Sequence, residues 1–282
     1  MILKKYSPLE YAEELSYPPK EWMEYEEAFL YHENSKFGRR KSQKDFVHIG
    51  QLRANKNLVS AMTRQWKVYP HVEYKPLPSV VDFLAEPGMS LEEAIVRRRS
   101  SRCFSGKAIS WKAFARMLVL SYGITGEMPY DTSDIQYLRA SPSAGALYPL
   151  EIYPVVFHVE ELEMGVYHYN VRDNALGLLK EGDFREELFA LCTEQDMVRD
   201  AGGVFLITAQ PLRTMRKYRE RGLRFIYLDA GHLAQNMYLL AVSSGCGACA
   251  LGGLYDWEVE DFLGIDGFYE TVIYAVVVGA IE

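Results

Sequence analysis

Residues 141–149 read Ser-Pro-Ser-Ala-Gly-Ala-Leu-Tyr-Pro and lead directly into an apolar run over residues 152–159. Pro142 and Pro149 each limit φ and remove a backbone donor, so the stretch is too rigid for a linker. Its side chains are too small to fill a core strand. Gly145 and its small neighbours let the main chain come close to something flat. A backbone held in this way can present N–H groups to a planar ligand. The competing reading is a plain turn into a strand, which an isolated Ser-Pro-Ser-Ala-Gly would favour.

The 282 residues suffice for one large domain or two small ones with a substantial core. A formal net charge of -7 argues against a general nucleic-acid binder, because phosphate contacts need a basic surface, while a local basic cluster can still grip a small anion. No window reaches the apolar length of a membrane span. Met1-Ile2-Leu3-Lys4-Lys5 is followed by polar and aromatic residues and not by a signal-peptide core, so a cytoplasmic protein is the expectation. Cys246 and Cys249 match C-x-x-C formally but follow a long apolar stretch. They therefore lie past a helix C-terminus, where a thiolate is disfavoured, and read as packed residues. No ligand set for a metal stands out.

Residues 1–85 are rich in Tyr, Glu and Lys and punctuated by prolines, with short helices expected over 11–34 and 52–65; they read as an arm on a core formed by 86–282. From Ser90 the patterning sharpens. Ser90-Leu-Glu-Glu93 is a capping box that predicts a helix over 91–99. A second helix is expected over 110–122, ended by Gly123. Further helices are predicted over 184–192, 219–243 and 257–263. Strands are predicted over 152–159, 204–209, 248–251 and 271–279, with a hairpin of 166–169 and 175–179 around Asp173-Asn174. Mixed helices and strands with hairpin and crossover connections point to an α+β sheet packed by helices.

Four elements invite chemistry. Arg97-Arg98-Arg99-Ser100-Ser101-Arg102 exceeds what a helix C-terminus needs in cations, and its guanidiniums can converge on a phosphate. Leu251-Gly252-Gly253 permits close backbone approach to a ligand, or is simply a tight strand-to-helix turn. It is not G-x-G-x-x-G, so a Rossmann nicotinamide site has no support. Lys217-Tyr218 are proton carriers when burial or neighbouring cations lower their pKa, and Arg213, Arg216, Arg221 and Arg224 are candidates for that field; a solvated charged helix start is the alternative. His232 and the pair Gln235-Asn236 interrupt an apolar helix, where a buried amide needs a partner, either a cofactor edge or another helix.

In this order the segments resemble the flavin-dependent nitroreductase superfamily, and within it the SagB-type, azoline-oxidising dehydrogenases, over nearly the whole chain. Tyr31-His32-Glu33-Asn34-Ser35-Lys36 resembles that branch's N-terminal signature, and Gly165-Val-Tyr-His-Tyr169 falls in place as well. The resemblance implies a nitroreductase-like α+β fold, with a mainly antiparallel central sheet flanked by helices and an N-terminal helical arm. It implies FMN as cofactor. Arg98, Arg99, Ser100 and Arg102 would hold the phosphate and ribityl chain. Ser143, Ala144, Gly145 and Leu147 would lie along the isoalloxazine, with Gln235 and Asn236 also at the cofactor and Leu251, Gly252 and Gly253 near its redox edge. Lys217 and Tyr218 match the pair taken to be catalytic: a base removes an azoline ring proton while hydride passes to flavin N5, and oxygen reoxidises the flavin. The resemblance further implies a homodimer with FMN at the subunit interface, a peptide substrate and a cyclodehydratase partner. A nitro or quinone reductase using NAD(P)H, and a non-catalytic flavin- or peptide-binding scaffold, remain the alternatives. One departure is Gly279-Ala280-Ile281-Glu282, where many relatives read Gly-Arg-Pro; either the upstream arginines suffice for FMN or its affinity is lower.

Overall fold

The computed structural model describes residues 26–36, 42–85, 88–129 and 134–282. The chain divides into two units, residues 1–46 and 47–282, and each is taken by itself. In the first unit the described helix is Glu26–Asn34. The Ser35 hydroxyl donates to the Tyr31 carbonyl (2.7 Å) at its end, and Lys36 pairs with Glu33. The start of the helix expected over 11–34 lies outside the described residues.

The second unit is built on a seven-stranded sheet in the order β1-β6-β5-β4-β7-β9-β8, with every neighbouring pair antiparallel. The strands are β1 (Tyr74–Pro76), β4 (Leu150–Val156), β5 (Gly165–Asn170), β6 (Ala175–Glu181), β7 (Gly203–Ala209), β8 (Cys246–Leu251) and β9 (Thr271–Ala280). A separate hairpin pairs β2 (Ile124–Pro129) with β3 (Ile135–Arg139). This is the α+β architecture the sequence pattern predicts, with the mainly antiparallel sheet that the resemblance implies.

Alternation along buried strands sends successive side chains to opposite faces. Leu150, Ile152, Phe205, Ile207, Val276 and Val278 join one core beneath the Trp111–Tyr122 and Arg221–Ser243 helices. Tyr153, Val155, Val204, Leu206, Ala275 and Val277 join the other, beneath the Arg185–Leu191 and Asp256–Leu263 helices. The buried polar side chains Glu151, His168 and Thr208 occupy registers of this second face.

Several local expectations are modified by tertiary context. Ser90 does cap its helix, accepting the Glu93 N–H at 3.1 Å, but Glu93 turns to Arg97 (2.7 Å). That helix ends at Arg97 because Arg98 is extended (φ -53°, ψ 125°). A fully reciprocal capping box forms instead at Ser79 and Asp82. Ser110 caps the Trp111–Tyr122 helix and Gly123 ends it. The helix expected over 219–243 forms as Arg221–Ser243, and a further helix, Pro211–Tyr218, with proline in its first turn, precedes it. The break falls at Arg219, whose φ of 49° and ψ of -138° interrupt the helix. β1, β2 and β3 carry no clear sequence signal. Among the described residues no helix is long and apolar enough to cross a membrane, and no cluster of metal-ligating side chains occurs.

Candidate functional site

The proline-bounded loop is a tightly over-determined turn. Residues Ala144–Ala146 form one turn of 3-10 helix in which Gly145 has φ 67° and ψ 20°. Ala146 (φ 54°) and Tyr148 (φ 45°) also lie at positive φ, a conformation that costs an L-residue roughly 1–2 kcal/mol. Five contacts hold it. The Ser143 hydroxyl donates to Asp229 Oδ2 (2.6 Å) and accepts the Tyr148 N–H (3.0 Å), closing the loop on itself. Gln136 Nε2 donates to the Ala146 carbonyl (3.1 Å), and Arg213 to the Tyr148 carbonyl (3.2 Å). The Tyr148 hydroxyl accepts the Arg139 N–H at 3.0 Å. At the entry, Ser141 accepts from Asn236 Nδ2 (3.0 Å) and donates to the Ser121 carbonyl (2.7 Å).

Lys217 and Tyr218 come to the same place. A Cβ added at Gly145 would stand 2.6 Å from Lys217 Nζ and 2.6 Å from the Tyr218 hydroxyl. Glycine is thus required twice, for its φ and for the space the two tips occupy. Lys217 is buried. It lines a cavity of about 10 Å³ with Leu52, Arg53, Met62, Gln136 and Leu147, room for a water and little more. Burial lowers the Lys217 pKa, and the charge of Arg53 lowers it further. The cation acting on Lys217 is therefore Arg53, from the Ser42–Ala54 helix, and not the arginines nearest in sequence. Arg213 is spent elsewhere: its Nη1 lies 2.6 Å from Glu151 Oε1. The Tyr218 ring meets Phe225 edge-on at 5.0 Å.

Beneath the loop lies a buried charged group. Glu151 accepts from Arg213 and is 3.0 Å from His168 Nε2. Burial alone would raise the Glu151 pKa, but Arg213 and then His168 outweigh it and hold it at about 2. Asp229 behaves oppositely. Its desolvation exceeds the help of Ser143 and His232 and raises its pKa to about 6. On the same face, Glu270 accepts from Tyr153 (2.7 Å), Thr208 (2.8 Å) and Lys67 (2.7 Å).

The remaining predicted residues occupy other places. Arg98 stacks on the Tyr238 ring at 5.3 Å, and Ser100 is 3.1 Å from the Tyr238 hydroxyl. That hydroxyl also accepts the Ala250 N–H at 2.7 Å. The Ser101 N–H donates to the Ala248 carbonyl (2.9 Å), so the arginine segment lies along β8. Arg99 turns back on the carbonyls of Val96 and Arg98, while Arg102 is exposed. Gln235 is exposed and Asn236 half-buried. Leu251 is buried in the second core, and Gly252 and Gly253 are exposed, with Thr193 donating to the Gly253 carbonyl (3.3 Å). Cys246 and Cys249 are both buried on β8, and burial raises the Cys246 pKa to about 11, as for packed thiols. Asp229, Glu151, His168, Arg139 and Tyr238 are absent from the sequence-derived set. The lone acid in the apolar helix and the glutamate inside a buried strand were the signals available.

The site thus sets a lysine of lowered pKa and a tyrosine against a glycine of the loop. The fold and the family together define an oxidoreductase of a flavin-dependent family. The model of the nitroreductase family matches residues 95–280, and the chain belongs to that family. It is 34% identical over 177 residues to the nitroreductase-like protein MJ1384 of Methanocaldococcus jannaschii, covering 63% of this chain and 85% of that one. It is 33% identical over 147 residues to the trifolitoxin-processing protein TfxB of Rhizobium leguminosarum bv. trifolii, covering 50% of this chain and 39% of TfxB. Among solved structures, a nitroreductase-like protein of Anabaena variabilis superposes with a TM-score of 0.62 at 29% identity over 76% of this chain and 42% of that one. A chain of the E. coli microcin synthetase McbBCD complex with truncated pro-MccB17 shares the fold, with a TM-score of 0.55 at 19% identity over 83% and 82% of the two chains. The chain spans less than half the length of TfxB and of the Anabaena protein.

Proposed function

We propose that the protein is an FMN-dependent azoline oxidase, converting thiazoline or oxazoline rings of a peptide to thiazoles or oxazoles. The observation that carries this reading is the convergence of Lys217 Nζ and the Tyr218 hydroxyl on Gly145 of the loop. The names of TfxB, a toxin-processing protein, and of the microcin synthetase complex support a peptide as substrate.

The residues present fit FMN. The exposed Arg99, Ser100 and Arg102 offer charge and hydroxyl to a phosphate. In this reading Ser143, Ala144, Gly145 and Leu147 follow the ring, with Asn236 fixing the loop's entry through Ser141. Leu251, Gly252 and Gly253 form the far edge. When bound, FMN supplies the two-electron acceptor. The protein's own share is proton handling and orientation. Lys217 Nζ, its pKa lowered by burial and Arg53, takes the ring proton, and the Tyr218 hydroxyl orients the azoline against it. A second copy completes the site, a role supported by exposed Leu91, Ile95 and Val96 on one helix and Tyr227 and Leu228 on another.

Incubation with an azoline peptide should remove two hydrogens per ring by mass spectrometry, and Lys217→Ala and Tyr218→Phe should retain FMN but lose turnover. Wild-type rates in both variants would remove the proposed base. Rapid bleaching by NADH with no azoline oxidation would instead establish the reductase alternative, and a colourless, inactive protein the scaffold.

A further inference from the structure

β4 and β7 are neighbours in the sheet, and Leu150 at the start of one pairs with Ala209 at the end of the other. The proline-bounded loop enters β4 at that end, and the Pro211–Tyr218 helix leaves β7 beside it, with the Gln210 N–H donating to the Pro149 carbonyl at 2.8 Å. Little apolar surface seats this helix. Eight residues are too few to hold a helix without tertiary contacts. Leu212 is exposed and Met215 half-buried, and the buried side chains are those of Arg213, Thr214 and Lys217. Residues four apart share a helix face, so Arg213 and Lys217 point the same way, about 6 Å apart along the axis.

Arg213 Nη1 carries two N–H groups and meets two acceptors, Glu151 Oε1 on β4 at 2.6 Å and the Tyr148 carbonyl in the loop at 3.2 Å. The other oxygen of Glu151, Oε2, is held by His168 Nε2 at 3.0 Å. All three side chains are buried. A buried ion pair adds little stability over an apolar pair of the same volume. What an apolar pair lacks is direction: a planar guanidinium fixed to two acceptors sets the rotation and height of its helix against the loop. One turn further on, Lys217 Nζ stands 2.6 Å from the place of a Gly145 Cβ. We propose that Arg213 is the positioning residue of the lysine–tyrosine pair, locking their helix to the loop through the Tyr148 carbonyl and to β4 through Glu151; this rests on the roles given to Lys217 and Tyr218 above. Arg213 touches neither substrate nor cofactor. It acts through the placement of Lys217.

The experiment separates holding the fold from placing the lysine. Glu151→Gln combined with Arg213→Met removes both charges together, so neither is stranded and the net charge is unchanged. Urea unfolding should put this double variant close to the wild type and well above Glu151→Gln alone. In protein carrying isotope-labelled lysine, the Lys217 signal, assigned by its loss in Lys217→Arg, is then followed by NMR against pH. In the double variant it should titrate higher than in the wild type, because a tip released from its buried place is hydrated. Arg213→Lys keeps a cation opposite Glu151 but reaches its acceptors on a flexible stem, and should give a smaller shift in the same direction. A role confined to stability moves the urea midpoint and leaves the titration of the folded protein where it was; that result in either variant overturns the proposal. Turnover is read separately. In the double variant kcat should fall about a hundredfold with KM little changed, and an unchanged kcat also overturns the proposal. A wild type that dehydrogenates no azoline refutes the functional reading instead, and the titration then decides the part played by Arg213.

Discussion

Replacing Gly145 by alanine tests the loop and the lysine–tyrosine pair together. The backbone cost is that of placing a Cβ at φ 67°, about 1–2 kcal/mol. The steric cost falls on two side-chain tips. Each stands 2.6 Å from the new Cβ, and ordinary contact begins near 3.4 Å, so Lys217 Nζ and the Tyr218 hydroxyl must each retreat by about 0.8 Å. Both are the ends of side chains that can swing, which keeps the loss of stability close to the backbone term. Catalysis is less tolerant, since a misplacement of about 1 Å costs on the order of a hundredfold in rate. Urea unfolding of Gly145→Ala should show about 1–2 kcal/mol of destabilisation, while kcat for azoline oxidation falls about a hundredfold. Ala146→Gly is the matched control: it relieves a positive φ of 54° and should be neutral or stabilising, with activity kept. Unchanged kcat in Gly145→Ala, or a loss of stability beyond about 4 kcal/mol, would refute the placement of the two tips.

Other expectations follow from the charges beneath the loop. The Asp229 pKa is raised from 3.8 to about 6, so its contribution to stability is full below pH 3.8 and is lost as pH rises through about 6. Asp229→Asn keeps an acceptor for Ser143 and removes that loss. Its stability relative to the wild type should improve across this window, by about 1–2 kcal/mol at pH 8 in urea titrations; parallel curves would contradict the buried charge. Glu151 is lowered from 4.5 to about 2, so its contribution is present above pH 4.5 and lost as pH falls through about 2. Glu151→Gln strands the Arg213 charge in the interior and should cost about 3 kcal/mol at pH 7 by thermal or urea unfolding. Tyr238→Phe deprives Ala250 of its acceptor and should cost about 1 kcal/mol, with faster amide exchange at Ser101 and Ala250; unaltered exchange would show that the hydroxyl holds nothing.

What was legible in the sequence is what short-range physics decides. The Ser110 cap, the Gly123 stop and the turn at Asp173-Asn174 each rest on residues whose local preference agrees with the fold. The buried strands declare themselves through β-branched runs. The end of the Pro211–Tyr218 helix at Arg219 could not be read this way, because arginine has no preference for positive φ, and the three residues of β1 pair only because β6 is there to receive them. At the site, the loop and the Lys217-Tyr218 pair stand out as local motifs. Arg53 does not, since it reaches Lys217 from a helix more than a hundred and fifty residues earlier in the chain. Asp229 shows itself in sequence only as an acid among Tyr227, Leu228 and Ala230, and its meaning depends on Ser143 being opposite.

The way the arginine segment lies along β8 has a consequence for the solubility of the protein. An open sheet ends in two unpaired edges, each a template for pairing with another molecule. One is blunted by a three-residue strand that includes Pro76, which cannot donate. The other would be β8, but Ser100 bridges Ala248 there and the Tyr238 hydroxyl holds the segment down. A stretch proposed to grip a phosphate thereby also works as a guard rail. Variants that loosen it should first reveal themselves by concentration-dependent association through β8, with weakened cofactor binding only one part of their phenotype.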